Sequence, residues 1–161
     1  MARLAHQSQT YLLERNAILK NLLPDALAMP GAVTLTKSCF KKHIPQAIAT
    51  SSDRAFFDVK SQQHRGWFEN VFALVVTSDD PSVKKGKPAP DIFLSAANKL
   101  KATPNQCLVF EDSPAGVQAA INAGMMVVAV PDKNCDKNLI REATLILNSL
   151  EEFNVNWLQR R

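Results

Sequence analysis

With 161 residues the chain is long enough for one ordinary domain with a single core, and its 46% hydrophobic and 21% charged content excludes a disordered or fibrous polypeptide. The formal net charge is +4, but apart from Lys84-Lys85 and Arg160-Arg161 the positive residues are scattered, with no aromatic-interleaved basic stripe, so nucleic acid is not an expected partner. No apolar run approaches the ~20 residues of a membrane-spanning helix, so no membrane partner is expected either.

In chain order, Leu4, Tyr11, Leu12, Ile18, Leu19 and Leu22 recur at helical spacing and predict an amphipathic helix over 3–23. Such a basic, acid-poor start is also compatible with an organelle transit peptide. Pro24 and Pro30-Gly31 punctuate it, and a helix is expected over 31–42. Gln46 to Thr50 reads as a buried strand. Ser51-Ser52-Asp53 then caps a helix over 54–65, with Asp53 accepting from backbone N–H groups. Phe72 to Thr77 is a second strand, followed by a Pro-, Gly- and Lys-rich loop to Pro90. Ile92, Phe93, Ala96, Ala97 and Leu100 mark a helix. Cys107 to Phe110 is a third strand ending at Glu111-Asp112. Ser113 caps the next helix, Pro114 opens it and Gly124 stops it. Val127 to Val130 and the short Thr144 to Leu147 complete the strands.

Strands apolar on both faces, alternating with helices, mean a mostly parallel sheet covered on each side, a three-layer Rossmann-like α/β fold. Ligands in such folds bind beyond the carboxyl ends of the strands. Three signals lie there. Thr50-Ser51-Ser52 follows the first strand, and hydroxyls with exposed N–H groups at a helix start suit a phosphate. Lys87-Pro88 follows the second, where an ammonium can neutralise a phosphate and a carboxylate. Glu111-Asp112 follows the third, and such carboxylates suit Mg²⁺. Taken singly, these are equally a helix cap, an exposed loop lysine and acids favoured at a helix N-terminus. In order, on one sheet, they describe one site. Cys39, Cys107 and Cys135 stand far apart with no Cys-x-x-Cys, which suggests neither zinc nor a disulfide framework and fits a reducing, cytoplasmic compartment.

Ala-Thr-Ser-Ser at 49–52, Gly-Lys-Pro-Ala-Pro-Asp at 86–91, Phe-Glu-Asp-Ser-Pro-Ala-Gly-Val at 110–117 and Ala-Gly-Met at 123–125 resemble the second to fourth motifs of the haloacid dehalogenase superfamily. The resemblance covers about 28–152 and points to the helical-cap subgroup, with Asn148-Ser149-Leu150 similar to the pseudouridine-5′-phosphatases. It implies that residues 1–27 are the last cap helix and return linker, and that 28–161 form the α/β core. It further implies that Thr50 bonds a phosphate oxygen, with Ser51 and Ser52 beside it, that Lys87 bridges phosphate and nucleophile, and that Asp112 and Glu111 hold Mg²⁺. The implied reaction is hydrolysis of a small phosphorylated metabolite, a sugar or nucleoside phosphate, by an aspartate nucleophile with a second aspartate as acid and base.

The chain departs from that pattern in having no Asp-x-Asp anywhere. Asp79-Asp80 follows an apolar strand but reads as a pair of loop acids. In the family the first-motif strand lies mid-sheet, between the strands ending at Thr50 and Asp112. The expectation is therefore a core lacking that strand, with little or no turnover of its own and a risk of self-association through an unfilled sheet edge. A non-catalytic phosphate- or partner-binding remnant and a relative of the sugar-phosphate mutases are the alternatives.

Overall fold

A computed structural model describes residues 26–159, and the amphipathic helix expected over 3–23 lies outside them. Helix α1 (Ala32–Lys41) leads to strand β1 (Ala47–Ala49), then α2 (Arg54–Lys60), α3 (Arg65–Val71) and β2 (Leu74–Val76). The second half runs α4 (Asp91–Lys99), β3 (Leu108–Glu111), α5 (Pro114–Asn122), β4 (Met126–Ala129) and β5 (Leu145–Ile146). None of the described helices is long and apolar enough to cross a membrane.

All strand pairs are parallel, but they form two ladders. Strand β1 pairs with β2, Ala47 opposite Leu74. Strands β3, β4 and β5 pair in that order, Leu108 opposite Met126 and Val128 opposite Leu145. Among the described residues β1 and β3 share no ladder bond.

Two helices bridge the ladders on one face. Helix α4 packs on β1 and β2, α5 packs on β3 and β4, and α4 touches α5. Ile92, Phe93, Ala96 and Ala97 of α4 meet Val117, Ala119 and Ala120 of α5 in one buried cluster with Val76, Val109 and Val127. Small alanines at the helix crossing let the backbones approach, while β-branched residues fill the strands. On the opposite face Phe110 stands edge-to-face with Phe153, centroids 4.9 Å apart. That aromatic pair, with α1 against the turns at Leu150–Glu152 and Val155–Gln159, supplies the third layer.

Local signals explain the boundaries. Asp53 Oδ1 accepts from the Phe56 N–H at 2.7 Å and opens α2. Ser113 Oγ accepts from the Gly116 N–H at 3.1 Å, and Pro114 takes the first position of α5. Gly124, with φ of 72°, ends α5 in the left-handed conformation that glycine adopts without strain. The helix expected over 54–65 ends early: Ser61 closes α2, a tight turn over Gln62–His64 follows, and α3 restarts the helix. Helix α3 is held by rings. Trp67 and Phe68 lie 4.8 Å apart, Phe68 meets Phe72 at 5.5 Å, and Trp67 Nε1 donates to Thr36 Oγ1 of α1 at 3.0 Å.

Candidate functional site

A cleft of 490 Å³ opens where β1 and β3 end. Thr50, Ser51, Ser52, Lys87, Glu111 and Asp112 all line it, together with Ser113 and Lys60. Met29, Ala49, Phe110, Val130 and Leu150 form its apolar wall. The three strand-end segments singled out in the sequence therefore share one space.

Each segment is fixed by its own bonds. The Thr50 N–H donates to Val76 O at 3.0 Å, extending the β1–β2 ladder by one step, and Ser78 N–H donates to Ser52 O at 3.0 Å. The Ser52 N–H turns back to Thr50 Oγ1 at 3.2 Å, so the chain leaves the strand in a hydroxyl-closed turn. In the second segment the Asp91 carboxylate accepts from the N–H groups of Lys84 and Lys85, both at 2.9 Å. Those two bonds hold its pKa below the ordinary carboxylate value and fold the loop over the start of α4. Asn122 Nδ2 of α5 donates to Pro88 O at 2.9 Å, beyond a cis Lys87–Pro88 bond. The backbone on either side of Lys87 is thereby tied to two helices.

Lys87 is sandwiched. Its ammonium lies 4.8 Å from the centroid of the Phe93 ring and is in direct ion-pair contact with Glu111 Oε1. Only 11% of the Lys87 side chain and 7% of the Glu111 side chain are exposed. Glu111 is further engaged by Ser113 Oγ at 3.1 Å and by the N–H groups of Asp112 and Ser113 at 3.2 and 3.3 Å. Its oxygens are thus committed to holding Lys87 and the β3–α5 turn. Asp112 is exposed on the cleft, and among the described residues its carboxylate accepts no hydrogen bond. The fit to Mg²⁺ follows: Asp112 offers an open oxygen donor, Glu111 does not, and the described residues contain no cluster of three metal-ligating side chains. One carboxylate with waters and a phosphate oxygen is an ordinary Mg²⁺ environment.

Lys60 is the residue that sequence reasoning missed. It lies in the last turn of α2, and its Nζ donates to Thr50 Oγ1 at 3.2 Å and Ser52 Oγ at 2.9 Å. Burial lowers its pKa, the Asp112 carboxylate pulls it back up, and the neighbouring Lys87 charge lowers it further. A signal was available. Lys60 stands three residues after buried Phe57, on the inward stripe of the helix, where a cation needs a reason. Asp79 and Asp80 stay outside the cleft. Asp79 Oδ1 accepts from the Arg54 N–H at 3.1 Å, and Asp80 bonds Ser82 and pairs with Lys99. Those partners, Lys99 and Ser82 foremost, hold the Asp80 pKa well below the ordinary carboxylate range.

Comparison with known proteins identifies the family. Residues 2–124 match the family model described as haloacid dehalogenase-like hydrolase. The chain is 44% identical over 149 residues to (DL)-glycerol-3-phosphatase 1, mitochondrial, of Arabidopsis thaliana, covering 91% of this chain and 50% of that protein. It is 42% identical over 147 residues to a probable pseudouridine-5′-phosphatase of Drosophila melanogaster, covering 90% and 64%. A haloacid dehalogenase hydrolase of family IA, variant 3, from Entamoeba histolytica superposes with a TM-score of 0.82 at 28% identity, over 95% of this chain and 70% of that one. The chain spans between half and two thirds of the length of these two curated relatives. With its parallel α/β core, its strand-end motifs in one cleft and a family match over most of its length, this chain belongs to the haloacid dehalogenase-like hydrolases.

Proposed function

We propose that the cleft binds the phosphoryl group of a small phosphorylated metabolite, as the phosphate- and Mg²⁺-handling part of a phosphomonoester hydrolase. The observation that carries this reading is the convergence of Thr50, Lys87 and Asp112 on one cleft. The relatives' names, glycerol-3-phosphatase and pseudouridine-5′-phosphatase, support a polyol, sugar or nucleoside phosphate as the substrate class.

The residues divide the work. The Thr50 hydroxyl and the Ser51 N–H meet one phosphoryl oxygen, while the Ser52 N–H stays on Thr50 Oγ1 and holds the turn. Lys87 has three N–H donors, and its bond to Glu111 leaves others for the phosphoryl group and for an attacking carboxylate. Asp112 holds Mg²⁺, which neutralises charge on the transferring group when bound. Attack on phosphorus needs a carboxylate placed opposite the leaving oxygen, and the 161 residues contain no Asp-x-Asp to provide the attacking and acid–base pair. By itself the chain binds phosphate without meaningful turnover.

The absence of Asp-x-Asp also favours a second reading, a phosphate-binding remnant that has no catalytic role in any assembly. Titration with inorganic phosphate and Mg²⁺, alongside an assay on a generic phosphate ester, tests both. Phosphate binding that Mg²⁺ strengthens, without turnover, is expected. Adding a peptide bearing an apolar strand and Asp-x-Asp-Gly separates them, because turnover appears only on the hydrolase reading. A chain that binds no phosphate refutes both.

A further inference from the structure

The Thr50 hydroxyl oxygen has two acceptor positions and one proton. The Ser52 N–H takes one position at 3.2 Å and the Lys60 ammonium takes the other at 3.2 Å. An ammonium cannot accept, and neither can a backbone N–H, so the bonds to Thr50 run in one direction only. Among the described residues no carbonyl or carboxylate accepts the remaining Thr50 proton. That proton is left for the cleft that Thr50 lines. Lys60 also donates to Ser52 Oγ at 2.9 Å, which fixes the ammonium over both hydroxyls.

We propose that Lys60 is a positioning residue: by occupying the acceptor side of Thr50 it commits the Thr50 hydroxyl to donate to an anion in the cleft. This inference rests on the reading of the cleft as a phosphate site. A donor whose oxygen already accepts a charge-assisted bond is polarised, and its own O–H···O⁻ bond is stronger. Without Lys60 only the Ser52 N–H constrains the hydroxyl, one acceptor position opens, and part of its interaction with a phosphoryl oxygen is spent on ordering it. Lys60 lies in the last turn of α2 and reaches back to the residues that precede the same helix. The arrangement therefore depends on α2 being short.

The test is a double-mutant cycle on the full chain, with inorganic phosphate as the probe and calorimetry as the readout. Lys60→Met and Thr50→Val each weaken phosphate binding about tenfold, the scale of one charge-assisted hydrogen bond. The double substitution is no more than about twofold weaker than Thr50→Val alone, because Lys60 acts through that hydroxyl. Lys60→Arg, which keeps a cationic donor, stays within about threefold of the unaltered chain. Lys60→Gln, a neutral donor and a milder change than methionine, weakens binding by about threefold, and this loss too vanishes in the Thr50→Val background. Losses that multiply in the double variant overturn the inference, since Lys60 then meets the anion independently. So does a folded Lys60→Met or Lys60→Gln that binds phosphate as the unaltered chain does, which leaves the cleft reading intact. An unaltered chain that binds no phosphate at any pH removes the cleft reading and this inference together.

Discussion

Gly116 gives the space of its missing side chain to the carboxylate of Glu111: a β-carbon built on Gly116 would overlap that carboxylate. The first turn of α5 thus lies directly against the acid that holds Lys87. Gly116→Ala forces either the helix or the carboxylate to move. Overpacking of this kind costs about 1–3 kcal/mol. Thermal unfolding is expected to show that loss, and phosphate affinity is expected to fall with it, because a displaced Glu111 no longer anchors the ammonium. An alanine variant with unchanged stability and unchanged affinity would mean that Glu111 has other room.

Glu111 and Lys87 are a largely buried pair, and each is a liability without the other. Glu111→Gln leaves a nearly buried ammonium facing a neutral amide, and Lys87→Met leaves a nearly buried carboxylate with only N–H and hydroxyl partners. Both single substitutions are expected to destabilise the fold. Made together they cost less than the sum, with a coupling of about 0.5–3 kcal/mol. Denaturant unfolding of the four proteins measures it. Additive losses would mean that the two side chains do not interact in solution.

Asp112 is the neighbour with the opposite expectation. Its side chain is exposed, and its carboxylate bonds none of the described residues, so Asp112→Asn changes stability by less than about 0.5 kcal/mol. Mg²⁺ is then expected to lose its effect on phosphate affinity. Titrating phosphate with and without Mg²⁺ checks this. An asparagine variant that still responds to Mg²⁺ would move the metal to other oxygens.

The backbone frame was legible because it is local. Asp53, Ser113, Pro114 and Gly124 each act within a few residues, and each does in space what its residue type and position foretell. The apolar strands likewise announced a parallel sheet. Thr50, Lys87 and Asp112 were legible for a topological reason, since strand ends in a parallel sheet share one side. What escaped was decided across the fold. Helix α3 is stabilised by Trp67 and Phe68 packing on residues outside its own turn, and Trp67 reaches Thr36, 31 positions earlier. The division of labour between Glu111 and Asp112 depends on Glu111 closing β3 towards Lys87 while Asp112, one residue beyond the strand, lies exposed on the cleft. Lys60 escaped because a lysine in the last turn of a helix is ordinarily a solvated charge favoured by the dipole.

Lys60 carries a final prediction with a definite sign. Its folded-state pKa lies below lysine's ordinary 10.5, mainly through burial, with Asp112 opposing and Lys87 reinforcing. The folded state therefore holds this proton less tightly than the unfolded chain does. Between the folded value and 10.5 the unfolded chain binds more protons, so stability rises with pH across that window. Below the window Lys60 is charged in both states and its full desolvation cost is present. Lys60→Met removes the cost, and its Tm at neutral pH is expected to exceed that of the unaltered chain. The advantage should shrink as pH climbs through the window. A residue that lowers stability while strengthening phosphate binding is kept for the site rather than for the fold. A lower Tm for Lys60→Met at neutral pH would reverse this sign and show that the bonds to Thr50 and Ser52 outweigh the burial of the charge.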